Sequence, residues 1–336
     1  MKILFNHPIP FSLAHGGLQI QIQQTKAALE RLGVEVECQN WWDESQTGDI
    51  IHFFGRPFPG IIELAHARGY KFLFTDLLTA QGSRSPFQRQ IHHLALWAAE
   101  KILSPSLAAN LSSTVYQAAD ACVALTTWEA SLMRDIYHAP AHKMHIIPNG
   151  VEQVFFDSTP AERGKWLVCT ATITQRKRVV ELARAAVEAK TPVWIIGKPY
   201  NEGDPYHQEF LGLARHNPAF VRYDGGIDDR AALAKIYREA RGFVLLSAME
   251  SLSLSALEAA ACECPLLLSD LPWARRTFSD QAAYCPLSGS VVETARILGE
   301  FYAAAPQRPI PPKPKTWIAV AEELKSLYEA LCKTSR

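Results

Sequence analysis

The sequence lacks any run of roughly 18 consecutive apolar residues, the length a membrane-crossing helix needs, so no segment of it reads as one. Its opening, MKILFNHPIP, has one Lys and too short an apolar stretch for the core of a secretory signal. Cysteine is scarce: there are seven, an odd number, with no Cys-x-x-Cys pair. Most lie in apolar runs, as Cys169 does in WLVCTAT, and read as small buried hydrophobes in a reducing cytoplasm. Neither sign of charge is in excess, Lys plus Arg and Asp plus Glu each totalling 34, which argues against a nucleic-acid partner. His, Cys and acidic residues form no cluster at metal-ligand spacing, so no metal is expected.

What is present is an ordinary globular composition, 48% hydrophobic and 20% charged, over 336 residues, enough for two domains of about 150 residues each. Short apolar runs alternate with amphipathic stretches. Residues 2–6, 50–54, 71–75, 121–125 and 144–148 read as strands, with helices over 17–32, 87–103, 106–117 and 127–137. The strands are continuously apolar, which predicts parallel sheets covered on both faces. After Asn149-Gly150 the pattern fades and restarts, with strands over 166–171, 192–196, 220–223, 243–247 and 265–269 and helices over 177–189, 205–216, 230–241 and 253–262. The expected fold class is therefore α/β, two doubly wound Rossmann-like domains over 1–155 and 156–315, with ligands at the carboxyl ends of the strands. Residues 306–315 hold five prolines and read as a stiff extended connector. An amphipathic helix from 316 follows, expected to return to the first domain.

Three loops carry polar chemistry. In HPIPFSLAHGG, Gly16 and Gly17 allow close backbone approach to a ligand ahead of a helix N-terminus, and a plain turn explains them about as well. In TITQRKR, cations stand where a helix start is expected and oppose its dipole unless an anion is near, which favours diphosphate binding by Lys177 and then Arg176. In AMESLSLSALEAAACECP, Glu250 follows a buried strand and Glu258 lies inside the next helix. The amides near Ser253 and Leu254 suit an anion, and a carboxylate one to two turns on can accept both hydroxyls of a ribose. Either acid alone reads as structural; their pairing around one loop favours a ligand.

Glu250 and Glu258 have the E-x7-E spacing of the retaining glycosyltransferases of family 4, and ESLSLSALEAAA resembles that family's block. HGGLQIQIQQTKAALERLGVEV, ACVALTTWEASLMRDIYHAPAHKMHIIPNGVEQVFF, IYREARGFVLLS and TWIAVAEELKSLYEAL resemble its other segments, so the likeness spans nearly the whole chain. The resemblance implies the GT-B fold, two domains facing across a cleft, and transfer of a sugar from a nucleoside-diphosphate sugar to a saccharide or lipid-linked hydroxyl acceptor. It implies that Glu258 holds the donor ribose and Glu250 the transferred sugar. Ser253, Leu254, Lys177 and Arg176 would neutralise the diphosphate, and Gly16 and Gly17 would line the opposite wall. No cofactor is implied beyond the donor itself, nor any metal.

The sequence departs from that family in three places. The diphosphate-binding Arg falls on Thr172, so Arg176 or Arg178 would replace it. The His-Asp after the fourth strand reads Thr75-Asp76, which leaves Asp76 as a catalytic candidate and removes the His; His7, His15 and His52 are the nearest substitutes, each more often structural. The Gly near the end of the E-x7-E helix reads Glu263-Cys264. Two other readings therefore stay open: a sugar-nucleotide epimerase, which would need no acceptor, and a weakly catalytic nucleotide-sugar-binding relative, motivated by Thr75 and Thr172. The segment RSPFQRQIHHLALWAAEK mixes aromatic and basic residues at helical spacing. It reads as a half-buried helix and is compatible with contact at the inner face of a membrane.

Overall fold

The computed structural model describes residues 1–11, 16–102, 113–157 and 161–333. His15 and most of the helix expected over 106–117 lie outside the described residues. The chain divides into two compact units, one formed by Met1–Asn149 with Trp317–Arg336 and the other by Gly150–Thr316.

Unit 1 holds a six-stranded sheet of β1 (Lys2–Asn6), β2 (Glu35–Cys38), β3 (Ile50–Phe54), β4 (Lys71–Thr75), β5 (Ala121–Ala124) and β6 (Met144–Ile146). The strands are parallel throughout, in the order β2-β1-β3-β4-β5-β6. All five residues of β3 are buried, as a central strand covered on both faces requires. The edge strand β2 escaped sequence reading because EVEC alternates acids with apolar residues and buries only one of its four side chains. The helix Pro59–Ala67 was likewise unread. The helix Thr127–Tyr137 starts as its sequence dictates: the Thr126 side chain accepts from Glu129 N at 3.1 Å. The buried Glu129 carboxylate in turn takes Leu78 N and Leu125 N, each at 3.0 Å. The C-terminal helix Trp317–Lys333 belongs to this unit, and Lys325 Nζ donates to Leu32 O at 2.9 Å.

Unit 2 holds β7 (Leu167–Thr170), β8 (Val193–Ile196), β9 (Val221–Tyr223), β10 (Gly242–Leu245), β11 (Leu266–Ser269) and β12 (Ala283–Cys285). They form a second parallel sheet, in the order β12-β11-β10-β7-β8-β9. Strand order reverses between β7 and β10, which pair directly, Gly242 with Leu167 and Phe243 with Val168. The loops that follow these two strands flank that switch point, the place where open α/β sheets bind ligands. They are the TITQRKR and AMESLSLS loops. The three-residue edge strand β12 and the helices Pro272–Phe278 and Val291–Ala304 had no reading in the sequence. Among the described residues no helix is long and apolar enough to cross a membrane.

Candidate active site

The TITQRKR loop corrects one expectation. Gln175–Lys177 forms a single 3-10 turn, Arg178 takes a left-handed φ of 52°, and the helix begins only at Val179. The cations therefore stand at the N-cap and in the turn just ahead of the helix rather than in its first turn.

That turn is clipped to the end of β10. Ala248 N donates to Arg176 O at 2.8 Å, and Arg176 NH1 donates to Met249 O at 2.9 Å. Lys177 Nζ donates to Glu250 Oε1, and Arg176 NH1 reaches the same oxygen at 3.5 Å. Glu250 and the Lys177 side chain are both largely buried. Burial pushes the Glu250 carboxyl up, but Lys177 and then Arg176 more than offset it and hold the group below its ordinary range. Arg178, weighed as a replacement for the missing Arg, is committed elsewhere, its NH1 donating to Leu287 O at 3.1 Å. Arg176 is the one that joins the site.

Ser253 caps the helix Leu254–Ala261, its side chain accepting from Ala256 N at 3.4 Å. Helix starts leave their first N–H groups without partners inside the helix, and those of Leu254 and Ser255 stand here beside Glu250 in sequence. Glu258, on the same helix and 5% exposed, takes Arg230 NH2 on Oε1 and the Tyr237 hydroxyl on Oε2 at 3.4 Å. Burial pushes the Glu258 carboxyl above its ordinary value, with Arg230 pulling against it. The two acids thus sit in environments that move them in opposite directions. Just past the Cys262 C-cap of that helix, Glu263 has a φ of 58°, a left-handed conformation that favours Gly and stands where the resembled family carries one. Its carbonyl accepts from Arg163 NH2 at 2.8 Å. The remaining loops at this edge lie side by side, Gly197 N donating to Gly225 O at 3.0 Å. At Gly197 a Cβ would sit 1.8 Å from Ala171 O, so only Gly allows that approach.

In unit 1, Gly16 has φ 139°, open only to Gly, and Gly17 begins the helix Gly17–Arg31 directly. Asp76, at the end of β4, is 3% exposed. Its Oδ2 takes Arg56 Nε at 3.0 Å, Arg56 NH2 at 2.7 Å and the Tyr116 hydroxyl. Arg56 stacks over the Tyr137 ring, 4.2 Å from its centroid.

Of the substitute histidines, His7 bonds locally, Nδ1 lying 2.9 Å from Ile9 O. His52 is 1% exposed, with Nδ1 2.6 Å from the Tyr328 hydroxyl and Nε2 2.8 Å from Thr75 Oγ1. Its ring stacks on Phe54. It borders a small cavity with Gln21, Thr25, Thr75, Asn149 and Trp317. Thr75 is thus the hydrogen-bond partner of a core histidine one strand away, a pairing no spacing rule reveals.

Burial lowers the His52 pKa to about 3. A histidine depressed in the folded state leaves the unfolded chain to take up the proton, so its contribution is intact above about pH 6.5 and is lost as pH falls toward 3. Unit 1 is expected to lose roughly 1.4 kcal/mol per pH unit to this group over that range. Denaturant unfolding at several pH values checks it: in His52→Gln the slope should flatten, and an unchanged slope would show that another group is responsible.

Residues 151–297 match the family model for glycosyl transferases group 1, and residues 49–153 match that for Glycosyltransferase Family 4. Sucrose-phosphate synthase from Thermosynechococcus elongatus superposes with a TM-score of 0.72 at 16% identity, covering 99% of both chains. Anabaena HepE in complex with UDP gives 0.62 at 14% identity, covering 98% of this chain and 100% of that one. WaaG, a glycosyltransferase involved in lipopolysaccharide biosynthesis, gives 0.61 at 11% identity, covering 100% and 98%. A D-inositol 3-phosphate glycosyltransferase of Actinosynnema mirum is 24% identical over 320 residues, 75% of each chain. Two parallel doubly wound sheets with these neighbours define a glycosyltransferase of the GT-B fold. Together the two models span residues 49–297, which form domains of the glycosyltransferase family 4 type.

Proposed function

We propose that this glycosyltransferase moves a sugar from a nucleoside-diphosphate sugar to a hydroxyl acceptor with retention of anomeric configuration and without a metal. The observation that carries the reading is the meeting of Lys177, Arg176 and Glu250 at the switch point of the unit 2 sheet, immediately before the helix that bears Glu258. Lys177, Arg176 and the amides of Ser253 and Leu254 supply positive charge and donors for a diphosphate. Glu258 accepts from the ribose hydroxyls, and Glu250, held ionised by Lys177, accepts from the sugar. Gly16 and Gly17 offer backbone approach in unit 1. Asp76 is assigned to the acceptor side on its place after β4, where it holds Arg56.

In the reaction the bond from the anomeric carbon to the diphosphate oxygen breaks and a bond to the acceptor oxygen forms on the same face. The acceptor proton passes to the departing phosphate, so no side-chain base is required. Glycoside and nucleoside diphosphate result, and the charge developing on the diphosphate is met by the Lys177 side of the site. No cofactor enters. HepE was solved with UDP, and UDP-sugars are the donors proposed here.

A thermal-shift screen of UDP, GDP and ADP sugars identifies the donor, and anomeric NMR of the product with and without EDTA tests the chemistry. The expected result is a retained anomeric configuration at an undiminished rate in EDTA. Inversion, metal dependence, or conversion of the donor without any acceptor would each overturn part of the reading.

The protein is proposed to work in the cytoplasm with peripheral membrane contact. The helix Pro86–Ile102 exposes Phe87, Ile91, Leu94 and Trp97 beside Lys101, a pattern suited to an anionic lipid surface and a lipid-linked acceptor. Co-sedimentation with phosphatidylglycerol vesicles should fall at least about fivefold in the Phe87→Ser/Trp97→Ser double variant. Equal sedimentation of both proteins would dismiss the contact.

A further inference from the structure

The side chain that answers Glu258 is Arg230, first residue of the helix Arg230–Glu239, and nothing in the sequence singled it out. Arg230 NH2 donates to Glu258 Oε1. The same guanidinium reaches Glu152 Oε2 from Nε at 2.7 Å and from NH2 at 2.6 Å. Its Cζ lies over the Phe155 ring, 4.7 Å from the centroid. Arg230 thus has a footing independent of Glu258, on Glu152 and against Phe155, and a guanidinium so held presents its N–H groups in a fixed fork. Tyr237 meets the other oxygen at 3.4 Å. An ionised carboxylate has about four lone-pair positions, so this framing leaves acceptor capacity on both oxygens.

We propose that Arg230 is a positioning residue for the nucleotide: braced by Glu152 and Phe155, it holds the Glu258 carboxylate ionised and in one orientation, ready to accept both ribose hydroxyls of a nucleoside diphosphate. The inference rests on the ribose role given to Glu258 above. The groups facing Glu258 are Arg230 and Tyr237 from one helix, Glu152 ahead of the turn Gln153–Phe156, and Cys262 at the end of its own helix. Burial and Glu152 favour the protonated acid, and Arg230 is the cation that opposes them. A protonated carboxyl spends one position as a donor and cannot take two hydroxyl protons equally.

Calorimetric titration of the full chain tests this. UDP, GDP and ADP are compared on the wild type, and the tightest is carried forward with its 2′,3′-dideoxy form from about pH 5.5 to 8.5. In Arg230→Met, affinity for the nucleotide should fall about tenfold or more at neutral pH, and the deficit should widen as pH falls, because Glu258 then protonates at higher pH. Arg230→Lys, which keeps a charge, should restore most of the flat pH profile, and Glu152→Gln, which loosens the brace on Arg230 but removes an acid that favours protonation of Glu258, should weaken binding by less and without the widening at low pH. The dideoxy nucleotide should bind wild type and Arg230→Met alike. Wild-type affinity in Arg230→Met alongside weakened binding in Glu258→Gln would overturn this role and leave the ribose reading standing. A loss equal at every pH and shared by the dideoxy form would mark Arg230 as merely structural. If Glu258→Gln binds normally, the ribose reading itself falls.

Discussion

Replacing Glu258 by Ala is expected to weaken nucleoside-diphosphate binding by on the order of 100-fold. Hydrogen bonds to a charged acceptor contribute about 1.5–3 kcal/mol each, and two from a ribose come to roughly 3 kcal/mol at the lower end. At about 1.4 kcal/mol per tenfold change, that is two orders of magnitude in dissociation constant. The fold should survive, because Arg230 keeps Glu152 as a partner and the substitution leaves no buried cation alone. Titration calorimetry reads the affinity, and the thermal midpoint reports the fold. A change below about threefold would remove Glu258 from the donor site.

Lys177→Ala should lower turnover by on the order of 100- to 1,000-fold, the loss seen when one donor to a developing negative charge is removed. It should also destabilise unit 2, because Glu250 stays buried with only Arg176, at 3.5 Å, to balance it. An uncompensated buried charge costs about 3–5 kcal/mol, which in a unit of this size lowers the thermal midpoint by roughly 10 °C. Comparing the double variant Lys177→Ala/Glu250→Gln with Glu250→Gln alone separates the two effects. Removing the stranded charge should recover most of the stability, while turnover stays well below that of Glu250→Gln. Turnover equal to that of Glu250→Gln would mean that Lys177 served the fold rather than the reaction. Arg176→Ala should do less on both counts, since its side chain is 36% exposed.

Much of the fold was legible because each central strand is a continuous apolar run between turn signals. Strands β1, β3 and β4 matched their expected limits, and the helices Thr127–Tyr137 and Pro205–His216 did as well. The edges were not legible. β2 and β12 are short and half solvated, so their patterns are too weak for a period of two to stand out. At the site, the E-x7-E spacing located the loop after β10, and the run of cations located the loop after β7. That the two meet depends on β7 lying beside β10, a pairing made 75 residues apart, from Leu167 to Gly242.

By itself the sequence determined two α/β units, their buried strands, and which loops carry the cations and the paired acids, because hydrophobic period and loop chemistry are local. Tertiary structure alone decided which charges face which. It put Lys177 on Glu250 and Arg178 on Leu287 O, although the two cations are adjacent in the chain, because the left-handed turn at Arg178 sends them to different neighbours. It set Arg230 between Glu152 and Glu258, and it gave His52 to Thr75 and Tyr328. A carboxylate or imidazole takes its ionisation from burial and from charges within a few ångströms, and those neighbours come from distant parts of the chain.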